Sequence, residues 1–236
     1  GLRASQEYNN IEIHCFEPVP QIFEVLNCNV KLSLNPQFYA YQMGLGSKND
    51  QISFTYFPNS PALSTSNPEL WEKDPKAFQK AVRGSIKNSP ESFWWAFLIP
   101  GFIIPLIAWY LKKGKKTINC KVTTLSEVIK SKKINKIDLL KMDCEGHEWE
   151  VIKGIEDQDW SKIKSIVMEV HNIDNRAKKV EIILKEKGFN SRYVDNFMIY
   201  ITWYKPKNNM LMLEDCKKDN VLDNIKLKYK PIEKSN

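Results

Sequence analysis

The chain has 236 residues, 42% of them apolar and 27% charged, and a formal net charge of +7. That composition is too apolar for a disordered protein and is enough for one sizeable domain, or one domain with a large insertion. The lysines gather at 112–116, at 130–136 and from Lys205 onward, at element ends and in a polar tail rather than among aromatics on one surface, which argues against nucleic acid as a partner.

Taken in chain order, "IEIHCFEP" (11–18) predicts a buried strand stopped by Pro18. "PQIFEVLNCN" follows as a short helix with Ile22, Phe23, Val25 and Leu26 on its apolar face. "FYAYQMGLG" (38–46) predicts a strand ending in glycines, and "QISFTYF" (51–57) a strand with alternating faces. A Pro/Ser/Asn-rich stretch then holds one helix, 67–83, with Asn67 as N-cap and Pro68 at the first helical position.

Residues 93–111 carry no charge and run into "KKGKK", nominally a membrane-spanning signal with a positive flank. Pro100, Gly101 and Pro105 interrupt it, and each proline deletes a helical hydrogen bond. A broken pair of apolar segments is therefore expected, packed over the substrate entrance or touching a membrane surface through 93–116. Downstream, "INCKVTT" is a strand, "TLSEVIKSKK" a helix capped by Thr124 or Ser126, and "KIDLLKMDC" a strand apolar on both faces. "EGHEWEVIKGI" is a helix closed by Gly154, "KSIVMEVHN" a second two-faced strand, "NRAKKVEIILKEKGF" a helix ending at Gly188, and "YVDNFMIYITWY" a final strand pair. Two-faced strands alternating with helices imply a parallel sheet in an α/β layer fold. The five cysteines are odd in number and lack a CxxC pair, which speaks against a zinc site or a disulfide framework and for a reducing, cytoplasmic compartment.

Three strands end in polar groups: Glu17 after "IHCF", Asp143 and Glu145 after "LLKM", and Glu169 and His171 within "VMEVHN". In an open parallel sheet ligands bind outside the carboxyl ends of the strands, and buried carboxylates are costly unless they pair or bind something. A ligand carrying hydroxyls and positive charge would account for acids at all three ends.

"KIDLLKMDCEGHEWEVIKGI" resembles the strand–turn–helix signature of the FkbM-type methyltransferases, with "CFEPVPQIFEVL" similar to that family's Phe-Glu-Pro motif and "IVMEVHN" to its later Glu-x-His strand. The resemblance spans most of residues 11–190. It implies a Rossmann-like class I methyltransferase sheet, mostly parallel with a final antiparallel strand pair, that uses S-adenosylmethionine. The domain would occupy 1–204 with an insertion, largely helical, at about 58–117, followed by a polar Lys-rich tail at 205–236. By the same resemblance Glu17, beside Phe16, would bond the cofactor's ribose, Met43 and Gly44 would lie near the adenine, and Asp143 would face the methyl-transfer centre. The family's first strand and glycine-rich loop should precede Glu17, so an incomplete N-terminus is expected.

The acceptor implied is a hydroxyl on a sugar, a lipid-like molecule or a secondary metabolite. Methyl transfer to it needs the oxygen positioned and its proton removed. His171, with a pKa near neutral, suits the base role, Asp143 is the rival, and Glu145 would help to position substrate or cofactor. Lys141 either pairs with a strand-end acid or touches substrate. His14, inside a strand, reads as a core residue, and His147 as a first-turn helix residue. Asp143, Glu169 and His171 form a set that divalent ions accept, although nothing in the sequence calls for a metal. The alternative from a different class is a non-catalytic, membrane-associated module that keeps the fold.

Overall fold

The computed structural model describes residues 2–7, 10–72, 76–87, 98–144, 146–170, 175–193 and 199–204. Glu145, His171 and the tail from 205 lie outside the described residues. The helices are α1 (Leu2–Glu7), α2 (Pro20–Leu32), α3 (Glu69–Glu72), α4 (Ala77–Lys87), α5 (Ile104–Lys112), α6 (Leu125–Ser131), α7 (Glu148–Lys153) and α8 (Arg176–Glu186). The strands are β1 (Ile13–Phe16), β2 (Phe38–Tyr41), β3 (Gly44–Leu45), β4 (Asp50–Tyr56), β5 (Lys116–Thr123), β6 (Leu140–Met142), β7 (Ser165–Val170), β8 (Asn190–Tyr193) and β9 (Ile199–Tyr204). The fold is mixed α/β with parallel pairing in each of three hydrogen-bonded ladders.

β1 and β2 run parallel, from Ile13↔Phe38 to Phe16↔Tyr41. β6 and β7 run parallel, from Leu140↔Ile166 to Met142↔Met168, and the antiparallel β9 lies between β7 and β8. The third ladder has β5 at its centre, with β3 parallel on one side and β4 antiparallel on the other.

Several sequence expectations change here. The strand expected at 38–46 divides at the bend of Gln42 and Met43, and its second part, Gly44–Leu45, pairs with β5 rather than with β1. The strands expected at 51–57 and 118–124 are each other's partners, so the residues between them are the long connection of an antiparallel pair. The expected 67–83 helix comes as α3 and α4, with residues 73–75 between them outside the described set. Helix α3 starts at Glu69, and the Asn67 N–H is taken by Thr65 Oγ1 at 3.0 Å. The strands around 140 and 167 are not buried on both faces. Ile166, Met168 and Val170 of β7 face the core while their alternates are half-buried, and Leu139 beside β6 is 58% exposed. Among the described residues, the face of this pair that joins the main core is the one packed by helices.

Local signals explain most elements. Pro20 opens α2 from its first turn, where its missing N–H costs nothing. Thr124 is the N-cap of α6, and its hydroxyl accepts the Glu127 N–H at 3.0 Å. Ser126, the other candidate, is buried and accepts the Glu156 N–H at 2.8 Å. In the apolar stretch Pro100 precedes a 3-10 turn, Gly101–Ile103, and Pro105 sits in the first turn of α5, so the prolines set boundaries instead of breaking one long helix. Among the described residues no helix is long and apolar enough to cross a membrane.

The main core gathers α6, α7, α8, β6 and β7 around Val151, Ile163, Ile166, Met168 and Leu184. Burying each such side chain is worth about 1.5–3 kcal/mol. The connection between β4 and β5 has its own cluster, in which Ile104 and Ala108 of α5 meet Phe78 and Val82 of α4 over Phe57. A third cluster, Val19, Phe54, Tyr56 and Cys120, ties the start of α2 to β4 and β5.

Candidate active site

The carboxyl end of β1 carries Phe16 and then Glu17-Pro18, which turn the chain into α2. One oxygen of Glu17 closes that turn by accepting the Val19 N–H at 2.8 Å. Its other oxygen has no partner among the described residues. Burial raises the Glu17 pKa, and the Val19 bond only partly offsets this. A half-buried carboxylate with one oxygen fixed and one open is a poised acceptor.

Beside it a cleft of about 530 Å³ lies between the ends of β1 and β2 and the β5–α6 junction. Phe16, Tyr41, Met43, Val122, Glu127 and Lys132 line it, with mostly apolar walls. Phe16 stacks on Tyr41 at 4.9 Å between ring centroids, and the Lys132 ammonium sits 5.0 Å from the Tyr41 ring centre. Gly44 backs this region: a Cβ there would lie 3.1 Å from Val122 Cγ1 and 3.5 Å from Pro18 Cβ. Phe16 and Met43 thus share one cleft, with Gly44 behind, whereas the Glu17 side chain is not among its lining groups.

Asp143 follows β6. It is exposed and paired with Lys141 Nζ at 2.9 Å, the strand-end ion pair that was one of the two roles expected of that lysine. Both partners face solvent, so the pair orients Asp143 more than it stabilises the fold. No bond joins Asp143 to Glu17. Glu169 lies on the half-buried face of β7, and no group of three His, Cys, Asp or Glu among the described residues could hold a metal ion.

The turn after Asp143 owes its shape to a residue that the strand-end reasoning passed over. Glu148 is 1% exposed, and its Oε1 accepts the Cys144 N–H at 3.2 Å and the Gly146 N–H at 3.0 Å. Gly146 has φ +94°, a conformation that favours glycine. Arg176 Nη1 donates to the Gly146 carbonyl at 2.8 Å, so the turn is held from both sides. Burial, reinforced by the neighbouring Glu148, pushes the Cys144 thiol up to about 12, which leaves it inert. The sequence did carry a signal: an acid in the first turn of a helix, two residues after a glycine.

The start of α7 also grips the β3 loop. His147 is half-buried at the α7 N-cap, with Nδ1 and Ser66 Oγ 3.2 Å apart. Burial lowers its pKa, so it is neutral at pH 7. Ser47 Oγ donates to Glu150 Oε2 at 2.8 Å, and Lys153 bonds Glu150 Oε1 at 2.7 Å. Burial pushes the Glu150 carboxyl up, but these two bonds outweigh it and hold its pKa below the ordinary value. Gly154 approaches closer still: a Cβ there would fall 2.0 Å from the Gly46 carbonyl oxygen. His14, expected in the core, is only partly buried and bonds Tyr41 Oη and Glu12 at 3.0 Å each.

Comparison with known proteins gives the family of the chain. The family described as "Methyltransferase FkbM domain" matches residues 3–191. "Methyltransferase sdnD" of Sordaria araneosa is 30% identical over 201 residues, covering 80% of this chain and 69% of that protein. "31-O-demethyl-FK506 methyltransferase FkbM" of Streptomyces tacrolimicus is 26% identical over 188 residues, covering 80% and 67%. "Methyltransferase 1" of Beauveria bassiana is 26% identical over 189 residues, covering 80% and 66%. The chain therefore spans about two thirds of the length of these relatives. No solved structure matches it.

Proposed function

The chain belongs to the FkbM methyltransferase family, and from that premise we propose that it transfers a methyl group from S-adenosylmethionine to a hydroxyl oxygen of a small-molecule or glycan acceptor. The observation that carries this is Glu17: a half-buried carboxylate at a strand end, one oxygen held by Val19 and the other open, beside a cleft lined by Phe16 and Met43. Its desolvated oxygen suits the paired hydroxyls of a ribose. The flat Phe16 and the flexible Met43 suit the face and edge of an adenine. The relative whose name carries "31-O-demethyl-FK506" supports an oxygen acceptor.

When bound, the cofactor supplies an electrophilic methyl group on a sulfonium. The protein's part is then to orient the acceptor oxygen and take its proton as the new O–CH3 bond forms. β6 and β7 are adjacent and parallel, so their carboxyl ends share one sheet edge; Asp143 follows β6 there, and His171 is the next residue after β7 in the sequence. His171 acts as the base, with Asp143, oriented by Lys141, and Glu145 positioning acceptor or cofactor. The ladder orders β2–β1 and β6–β7–β9–β8 support one Rossmann-like layer, since β1 and β6 each have a single partner among the described residues and a strand seated between them would join the two.

The test is turnover with S-adenosylmethionine and a panel of hydroxylated acceptors, with cofactor affinity measured by calorimetry. His171→Ala should lower turnover about 100-fold or more with affinity unchanged. Activity within a few-fold of the parent would move the base role to Asp143, to be checked with Asp143→Asn. Absence of any cofactor binding by the full-length protein would favour the non-catalytic alternative.

A further inference from the structure

Helix α5 has two apolar faces, and among the described residues only one of them is packed. Ile104 and Ala108 are buried against α4, with Ile107 and Leu111 packed beside them. On the other side Phe102, Leu106, Trp109 and Tyr110 project at the spacing of one helical face, with Phe102 81% and Trp109 61% exposed. Leu98 extends this surface. No charged residue occurs from 92 to 111, and then Lys112, Lys113, Lys115 and Lys116 follow with no acid among them. Lys113, Lys115 and Lys116 are exposed, and the Lys113 ammonium lies 5.7 Å from the centre of the Trp109 ring.

We propose that this face of α5 is a docking surface for an anionic lipid bilayer. The helix would lie in the interface plane, with Phe102 and Leu106 reaching toward the acyl chains and Trp109 and Tyr110 at headgroup level. The lysines would rest on the anionic headgroups, where each adds to the attraction. Two further observations fit a lipid interface. The Tyr110 carbonyl in the last turn of α5 and the Lys113 carbonyl just past it already accept from Asn59 Nδ2, at 3.0 Å and 3.3 Å, which leaves less unpaired backbone to desolvate. And a second copy of the chain set parallel on this face would bring the two lysine clusters together, whereas an anionic surface neutralises them. The inference is independent of the catalytic reading, because no residue of this face belongs to the Glu17 cleft or to the strand ends.

The experiment is co-sedimentation of the protein with vesicles of phosphatidylcholine alone and of phosphatidylcholine containing phosphatidylserine, together with its oligomeric state by light scattering without lipid. Binding should be at least about tenfold stronger with phosphatidylserine and should weaken in high salt, as expected for several lysines near a charged surface. Lys113→Gln/Lys115→Gln/Lys116→Gln should remove the preference for anionic vesicles. Leu106→Glu/Trp109→Glu should abolish binding to both kinds of vesicle, and its unfolding midpoint should match the parent's because both side chains already face solvent. Equal binding to the two vesicle types, no binding to either, or binding unchanged in the Leu106→Glu/Trp109→Glu variant would overturn the proposal. So would a dimer that this variant dissociates together with an absence of lipid binding, since the patch would then belong to a second copy.

Discussion

Replacing Glu17 by glutamine separates a ligand-binding role from a structural one, because the two roles predict opposite signs. The amide oxygen of the substituted side chain can still accept the Val19 N–H, so the turn into α2 survives. In the folded protein the Glu17 carboxyl has a pKa raised by burial. An acid whose folded pKa exceeds its unfolded value binds its proton more tightly in the native state. Stability is therefore highest below the unfolded pKa of about 4.3 and falls as pH rises through the folded value, so the ionised group is a liability at neutral pH. Glu17→Gln removes that liability, and the variant should be at least as stable as the parent at pH 7, with a flatter stability profile across this window. Cofactor binding should move the other way. Charge-assisted bonds to ribose hydroxyls are worth about 1.5–3 kcal/mol, so the dissociation constant for S-adenosylmethionine should rise roughly 10- to 150-fold. Calorimetric titration at pH 7 gives the affinity, and thermal melts at several pH values give the stability. An affinity within twofold of the parent's in a folded variant would refute the ribose assignment. A marked loss of stability at pH 7 would refute the claim that burial dominates at this carboxylate.

Gly154→Ala should destabilise, because its Cβ would fall 2.0 Å from a backbone oxygen of Gly46 that has no side-chain freedom with which to retreat. Overpacking of this kind costs about 1–3 kcal/mol, or a Tm lower by roughly 2–12 °C, and an unchanged Tm would show that α7 and the β3 loop do not meet so closely. At Asp159 burial pushes the carboxyl up, but the bonds to Lys162, at 2.8 Å, and to Ser126 outweigh it and hold the pKa below the usual value. Its contribution to stability is therefore full above the unfolded value near pH 4 and is lost as pH falls through the depressed folded value. Asp159→Asn should accordingly lower stability at pH 7 and flatten the acid limb of the profile. Parallel parent and variant profiles below about pH 4 would show that Asp159 carries no such linkage.

What the sequence alone determined is what neighbouring residues decide between themselves. Alternation marked β1, Pro18 and Pro20 marked the passage into α2, Thr124 with Glu127 marked the start of α6, and Gly154 its place at the end of α7. Strand-end acids were legible for the same reason, since an apolar run that stops at Glu17 or Asp143 stops within one or two residues. The signature from 136 to 155 was legible as well, because its strand, turn and helix are contiguous. Pairing was not legible in this way. β4 and β5 each show a strand pattern, but only the folded chain joins Tyr56 to Lys116 across the insertion, and only there does 38–46 divide between two ladders. Alternation says which faces of a strand are apolar, but not which distant strand supplies its hydrogen bonds. Burial is decided at the same level. Glu148 looks like any acid in a first helical turn until the Cys144 and Gly146 N–H groups converge on it, and Leu139 looks like core until the fold leaves it 58% exposed. A side chain's cost or value depends on what is packed against it, and that is set by contacts between residues far apart in the chain.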